Sequence, residues 1–231
     1  FSGNEVEWFN RFKAIGGKSV IVPQTFIYHY KLSTWRNNKL NNLCIYTVNT
    51  GLYDGMNIYL QKQLTDTLYY TDSFPLMYKC MQKKLIPFYV DTRDKETRLV
   101  QRLIKTNPSA YIPHNYSMSI YVDANVKLNV PVDRSYSTMM NLVNKLKKDD
   151  TLDLICFAHP CRIKAAEEAA CISVHKLESS ENLFKLLNEF YIHKFPDVNG
   201  FTETNCLIRK HNPLQEFHKE WNNYVTMCNR D

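Results

Sequence analysis

Glycine is scarce in this chain, six in 231 residues, and no Gly-x-Ser-x-Gly, Walker or dinucleotide fingerprint occurs. The hydrolases, P-loop enzymes and dinucleotide binders that those spacings mark are thereby set aside. No apolar run approaches the roughly 18 residues that cross a bilayer, and no signal peptide is recognisable, so no membrane span is expected in this stretch. No run of Lys or Arg is long enough for a nucleic-acid arm. No two cysteines are spaced Cys-x-x-Cys, and the nearest pair, Cys156 and Cys161, has no accompanying His-x-His, so no structural zinc is expected. The low glycine count beside abundant Asn, Lys, Ile and Tyr hints at an AT-rich genome, as in a large virus or a protist.

What is present is ordinary for a folded chain: 44% hydrophobic and 23% charged residues, in a length that suits one large or two small domains. The net charge is +6 and the pI about 8.8, which suits a basic face or a pocket for a phosphorylated small molecule rather than nucleic acid. Seven cysteines are an odd number. Cys44, Cys156, Cys171 and Cys206 sit in apolar runs and read as small buried hydrophobes in a reducing, cytoplasmic compartment. The chain opens on Phe1 and reads as a piece of a longer polypeptide, which keeps a Golgi-type lumen open.

The polar cluster Arg36–Asn42 reads as a linker, dividing an extension over 1–38 from a domain over 39–231. Before it, helical spacing runs from Glu5 to Ile15 and extended segments from Ser19 to Tyr30. After it, strands and helices alternate. Strands are expected at Leu43–Val48, Thr67–Thr71, Leu85–Val90, Ser117–Val122, Asp153–Phe157 and Asn205–Arg209. Helices are expected from a cap at Asp91 or Thr92 to Lys105, and at Ser137–Lys148, Ile163–His175, Ser180–His193 and Pro213–Met227. The alternation predicts an α/β fold with a mostly parallel sheet flanked by helices and ligands at the carboxyl ends of the strands. Asp72, Asp123 and His159 all follow predicted strands.

Four constellations carry chemistry. Asp123-Ala124-Asn125 ends an apolar strand and offers two oxygen-bearing side chains to a hard cation, Mn²⁺ or Mg²⁺; the same three residues also read as a simple turn. Arg98, Arg102 and Lys105 fall at i, i+4 and i+7 of a helix, a cationic face for a diphosphate or a solvated amphipathic surface. His159-Pro160-Cys161-Arg162 with Glu167-Glu168 suits phosphate, metal or an acceptor hydroxyl, or else a junction histidine with an ion pair. Polar groups cluster again from Thr202 to Asn212. Phe217, Trp221 and Tyr224 form an aromatic stripe expected in the core rather than as a sugar platform. His29, His114 and His218 carry no signal individually.

In this order the pieces resemble the glycosyltransferase-like family of plant mucilage-related proteins, also found in bacteria and large viruses. The resemblance covers about 190 residues. It runs through Tyr46-Thr47 to Gly51-x-Tyr53-Asp54; Tyr70-Thr71-Asp72; Arg98, Arg102 and Lys105; and Tyr121-Val122-Asp123-Ala124-Asn125. It continues through His159-Pro160-x-Arg162, Glu167-Glu168-Ala169, Glu203-x-Asn205 and Leu207-x-Arg209-x-His211-Asn212. The family pattern would run on past Asn229-Arg230-Asp231, so the chain reads as cut inside its own domain. Pro108-Ser109 stands where the family often has Pro-His.

The resemblance implies a GT-A-like (Rossmann-like) fold using a divalent cation and a nucleotide-sugar donor. Asp123 and Asn125 would take the Asp-x-Asp metal position, with the second Asp replaced by Asn. Thr47 and Asp72 would lie near the nucleoside, and Arg98, Arg102 and Lys105 near the diphosphate. His159, Glu203, Asn205 and Asp231 would face the sugar or a glycan acceptor. Residues 1–36, through Glu5, Trp8, Arg11, Gly16-Gly17, Val22-Pro23 and Tyr28-His29-Tyr30, look like the tail of a family-two glycosyltransferase, implying an adjacent transferase domain upstream. Two other readings stand beside transfer to a hydroxyl: a non-catalytic carbohydrate- or partner-binding module, and a lipid amide hydrolase, since some plant relatives are described as ceramidases.

Overall fold

The computed structural model describes residues 42–58, 65–126, 132–193 and 202–228. The chain divides into two compact units, Phe1–Lys39 and Leu40–Asp231. The first lies outside the described residues, and with it the transferase-tail resemblance, Glu5 and His29. Asp231 lies outside them too.

In the second unit six strands form one sheet in the order β3-β2-β1-β4-β6-β5. They are β1 (Leu43–Asn49), β2 (Asp66–Thr71), β3 (Ile86–Tyr89), β4 (Met118–Val122), β5 (Leu154–Ala158) and β6 (Thr202–Lys210). The helices are α1 (Phe74–Gln82), α2 (Thr97–Thr106), α3 (Pro108–Tyr111), α4 (Val132–Lys148), α5 (Ala165–Val174), α6 (Ser180–Ile192) and α7 (Gln215–Met227). The expected α/β class with a mostly parallel sheet is what forms. β1, β2, β3 and β4 are parallel, and β6 runs antiparallel to both β4 and β5.

Every residue of β1 and β4 is buried, as expected of central strands covered on both faces, whose sequence is then a continuous apolar run. Alternation splits their side chains between two cores. Cys44, Tyr46, Val48 and Tyr121 pack with Val100 and Ile104 of α2 and with Trp221 of α7. Leu43, Ile45, Met118, Ile120 and Val122 pack with Val143 and Leu146 of α4. α5 and α6 share a smaller core, Ile172 with Leu183 and Cys228.

Two differences from the sequence expectation matter for the site. α2 starts at Thr97 rather than near Asp91, because the carboxylate of Asp91 is taken by the Arg93 backbone and guanidinium and the Thr92 hydroxyl donates to Asp72 at 2.8 Å. α1 is additional to the expected helices: Ser73 caps it by accepting from the Leu76 N–H, and Pro75 sits in its first turn, where its missing donor costs nothing.

The single reversed strand decides which residues meet. With β6 inverted, its amino end lies at the same edge as the carboxyl ends of β1, β2, β4 and β5. The Asp123 N–H donates to the Asn205 carbonyl at 2.9 Å, and Ala158 pairs with Thr202. The β5–β6 pairing skips from Cys156↔Leu207 to Phe157↔Glu203, so Thr204, Asn205 and Cys206 bulge at the edge, a device that re-aims side chains near sites.

Near the opposite end of β4 and β6 two histidines are buried. His211 sits 3.0 Å from the Tyr116 carbonyl and 2.9 Å from the Ser119 hydroxyl, and His218 is wholly buried. Burial, then the nearby Arg209 guanidinium, pushes His211 down to about 4 and His218 to about 3. Both stay neutral in the folded chain over a range where the unfolded chain protonates them. Their contribution is therefore complete above pH 6.5 and is lost as pH falls from there toward 4. Each should cost about 1.4 kcal/mol of stability per pH unit in that window. Urea unfolding between pH 7 and 5 reads the slope, and His211→Gln should reduce it; an unchanged slope in that variant would exclude His211 as a source.

Candidate functional site

The loop after β1 is built first. Asn49 staples it, donating to the Gly55 carbonyl at 2.9 Å while its Oδ1 receives the Asp54 N–H at 3.4 Å. The Gly51 N–H donates to both carboxylate oxygens of Asp72 at 2.9 Å, and the Thr50 hydroxyl donates to the Thr97 carbonyl at 2.7 Å. Gly51 has φ +64°, and a Cβ there would meet the Thr97 hydroxyl at 2.6 Å, so the loop requires glycine on both counts. Arg98 donates to the Tyr53 hydroxyl at 2.7 Å with its guanidinium 4.8 Å from that ring. Asp72 and Arg98 thus hold this loop. Thr47 is fully buried within β1, its hydroxyl without a hydrogen-bond partner among the described residues.

The cationic helix face dives inward. Arg98 sits on the loop, Arg102 is half-buried, and Lys105 is 1% exposed. Lys105 is fixed at both ends. Its carbonyl accepts from the Tyr46 hydroxyl at 2.9 Å and from Arg209, whose side chain is itself fully buried. Its ammonium lies 3.3 Å from Asp123 Oδ1, 3.0 Å from the Thr204 hydroxyl and 5.0 Å from the Tyr121 ring centroid. The Tyr121 hydroxyl donates to the same Asp123 oxygen at 2.5 Å.

Asp123-Ala124-Asn125 does make a turn, closed by the Val126 N–H on the Asp123 carbonyl at 3.0 Å. The turn separates its two polar side chains: Asp123 faces a cleft, whereas Asn125 is exposed and outside that lining. Among the described residues no three His, Cys, Asp or Glu side chains group as metal ligands. What faces Asp123 Oδ1 in this structure is the Lys105 ammonium and the Tyr121 hydroxyl. Asp54 stands near it; burial first, then the Asp123 charge, raises its carboxyl above the usual range.

The cleft, about 400 Å³, opens at the strand edge. Its lining combines polar side chains, Arg102, Lys105, Asp123, His159, Glu168, Glu203 and Asn205, with apolar and aromatic ones, Ile172, Leu183, Leu186, Leu187, Phe190, Trp221 and Tyr224. Six residues nominated from sequence, separated by up to 103 positions, thus line one hollow: Arg102, Lys105, Asp123, His159, Glu203 and Asn205. His159 Nδ1 accepts from the backbone N–H groups of Cys161 and Arg162 at 3.1 and 2.9 Å, which turns Nε2 toward Glu203 Oε1 at 3.9 Å. Arg162 lies 3.0 Å from that Nε2 and is paired with Glu168. Glu203 Oε2 accepts from the Asn205 amide at 2.7 Å. Glu167 caps α5 instead, accepting from the Ile163 and Lys164 N–H groups.

Other lining residues have no site role in the sequence reading, although Thr204 lies in its polar cluster and Trp221 does pack on the core as expected. Thr204 completes the ammonium's seat. Trp221 and Tyr224, from the stripe assigned to the core, line the cleft, while Phe217 is 44% exposed. Leu183, Leu186 and Leu187 of α6 add apolar lining, and their helical spacing alone cannot show whether they face core or hollow.

No protein-family model matches the chain, and no curated protein matches it. Among solved structures it is similar to mouse xyloside xylosyltransferase 1 in its apo form, at 6% identity and TM-score 0.43, over 80% of this chain and 73% of that one. It is also similar to 4-diphosphocytidyl-2C-methyl-D-erythritol synthase from Anaerococcus prevotii DSM 20548, at 6% identity and TM-score 0.41, over 78% of this chain and 74% of that one. Overlap at that level assigns no activity, and the functional reading rests on the cleft itself.

Proposed function

We propose that this cleft transfers a glycosyl group from a nucleotide-sugar donor to a hydroxyl of a glycan or glycoconjugate acceptor. The observation that carries the reading is the convergence, in one hollow at the strand edge, of two cations and a carboxylate–histidine pair. The cations are Arg102 and Lys105; the pair is Glu203 and His159. The ordered resemblance to the mucilage-related glycosyltransferase family supports it from the sequence side.

In the reaction the bond between the anomeric carbon and the diphosphate oxygen breaks, and the electron pair leaves with the nucleoside diphosphate. A bond forms between the anomeric carbon and the acceptor oxygen, whose proton passes to Glu203. Lys105 and Arg102 face the charge that develops on the leaving diphosphate, where fixed cations in a recessed site act most strongly. The Asn205 amide holds the Glu203 carboxylate by a hydrogen bond at 2.7 Å, and the His159 ring faces it at 3.9 Å. Asp54 and the Asn49-stapled loop, close to Asp123, would meet the nucleoside. Mn²⁺ or Mg²⁺ remains the cofactor that the family resemblance implies, and no step here is routed through it.

The test is a thermal-shift panel of nucleoside diphosphates and nucleotide sugars, followed by donor-consumption assays on any that bind. At least one should raise the melting temperature, by about 2.7 kcal/mol of stabilisation at a hundredfold excess over Kd. No shift with any member of the panel would defeat the proposal.

A further inference from the structure

The arrangement at Asp123 leads beyond donor use to how the donor is held. We infer that the diphosphate is bound without a divalent cation, the Lys105 ammonium standing where the metal of an Asp-x-Asp site would stand. The inference rests on the donor-binding reading above.

Asp123 has one carboxylate oxygen already engaged twice, by the Lys105 ammonium at 3.3 Å and the Tyr121 hydroxyl at 2.5 Å. A divalent ion at that oxygen would sit against a buried cation, and like charges at such range in a recessed site repel strongly. The side chain that would share the ion, Asn125, is exposed and lies outside the cleft lining. The ammonium, by contrast, is built in. Its stem is sealed on α2, its carbonyl is pinned by Tyr46 and Arg209, and Thr204 from the β6 bulge gives it a neutral second partner. Arg102, three residues earlier on the same helix, lines the same cleft and adds a planar donor fork suited to phosphate. Asp123 then orients Lys105 rather than chelating, and the site offers preset positive charge with no ion to recruit.

The experiment is titration calorimetry of the 231-residue chain with UDP, GDP, CDP and ADP, each in EDTA and each with MnCl₂. The expected result is a diphosphate whose Kd in EDTA and in Mn²⁺ agrees within about threefold, under about 1 kcal/mol, whereas a diphosphate held through the metal would lose its binding in EDTA. Arg102→Gln, at a half-buried position, should weaken that binding about tenfold or more in EDTA. Lys105→Met should do the same, and circular dichroism melts separate loss of binding from loss of fold. Binding only with Mn²⁺ overturns the inference and leaves the donor reading standing. Binding under neither condition removes both. An Arg102→Gln chain that binds as tightly as the parent also overturns it.

Discussion

Glu203→Gln should lower turnover by about 10²–10⁴-fold, the range ascribed to a positioned general base. The substitution is nearly isosteric. The amide oxygen can still accept from Asn205, and the side chain still faces His159, so the geometry of the β6 bulge is kept. What disappears is the capacity to take the acceptor's proton. Glu203 lines the cleft with Arg102 and Lys105, yet no hydrogen bond links it to either among the described residues. Nucleoside diphosphate affinity should therefore change by no more than about threefold, the signature of an interaction made at the chemical step. Steady-state kinetics on whichever donor binds, with calorimetry in parallel, checks both halves. A variant with parental turnover would move the base to another residue of the cleft, His159 first.

Glu203 is reached only through the family resemblance, because the spacing of the polar cluster around it is not diagnostic; the strand ends are read directly. Strand ends are legible because burial on both faces leaves long apolar runs, so β1 and β4 announce themselves and Asp123 is placed at an edge by simple counting. The i, i+4, i+7 spacing of Arg98, Arg102 and Lys105 likewise sets one helical face. Depth is not legible. The same face carries Arg98 onto the β1 loop and Lys105 to 1% exposure, because Tyr46, Asp123, Thr204 and Arg209 close around the last turn of the helix, and periodicity says nothing of what covers each turn.

Strand direction is equally silent. An apolar run reads the same whether β6 enters up or down, yet its reversal alone brings Glu203 and Asn205 to Asp123. Partners distant in sequence are hidden for the same reason. Asp72 is legible as a strand-end carboxylate, but its use as the anchor of the Gly51 N–H depends on a loop 21 residues away. Trp221 and Tyr224 show the limit of amphipathic patterning, since core and cleft both ask for aromatic residues at helical spacing.

Asp123→Ala should destabilise the fold by about 3 kcal/mol, at the lower end of the range for breaking a buried ion pair by removing one partner. The reason lies with the residue left behind. Lys105 is 1% exposed and Asp123 21%, so deletion of the carboxylate strands an ammonium that water reaches poorly. The Thr204 hydroxyl still accepts from it at 3.0 Å, but the charged partner at 3.3 Å is gone, and the Tyr121 hydroxyl loses the Asp123 oxygen it donates to. The cost is therefore a property of the pair and not of the aspartate. Lys105→Met on top of Asp123→Ala removes the stranded charge and should restore most of the lost stability, giving a coupling well above the roughly 0.5 kcal/mol found for independent sites. Urea unfolding of the parent, both single variants and the double variant closes this cycle. Additive losses would mean that Lys105 and Asp123 do not act as one unit, and the ammonium would then lack the anchor that lets it stand in for a metal.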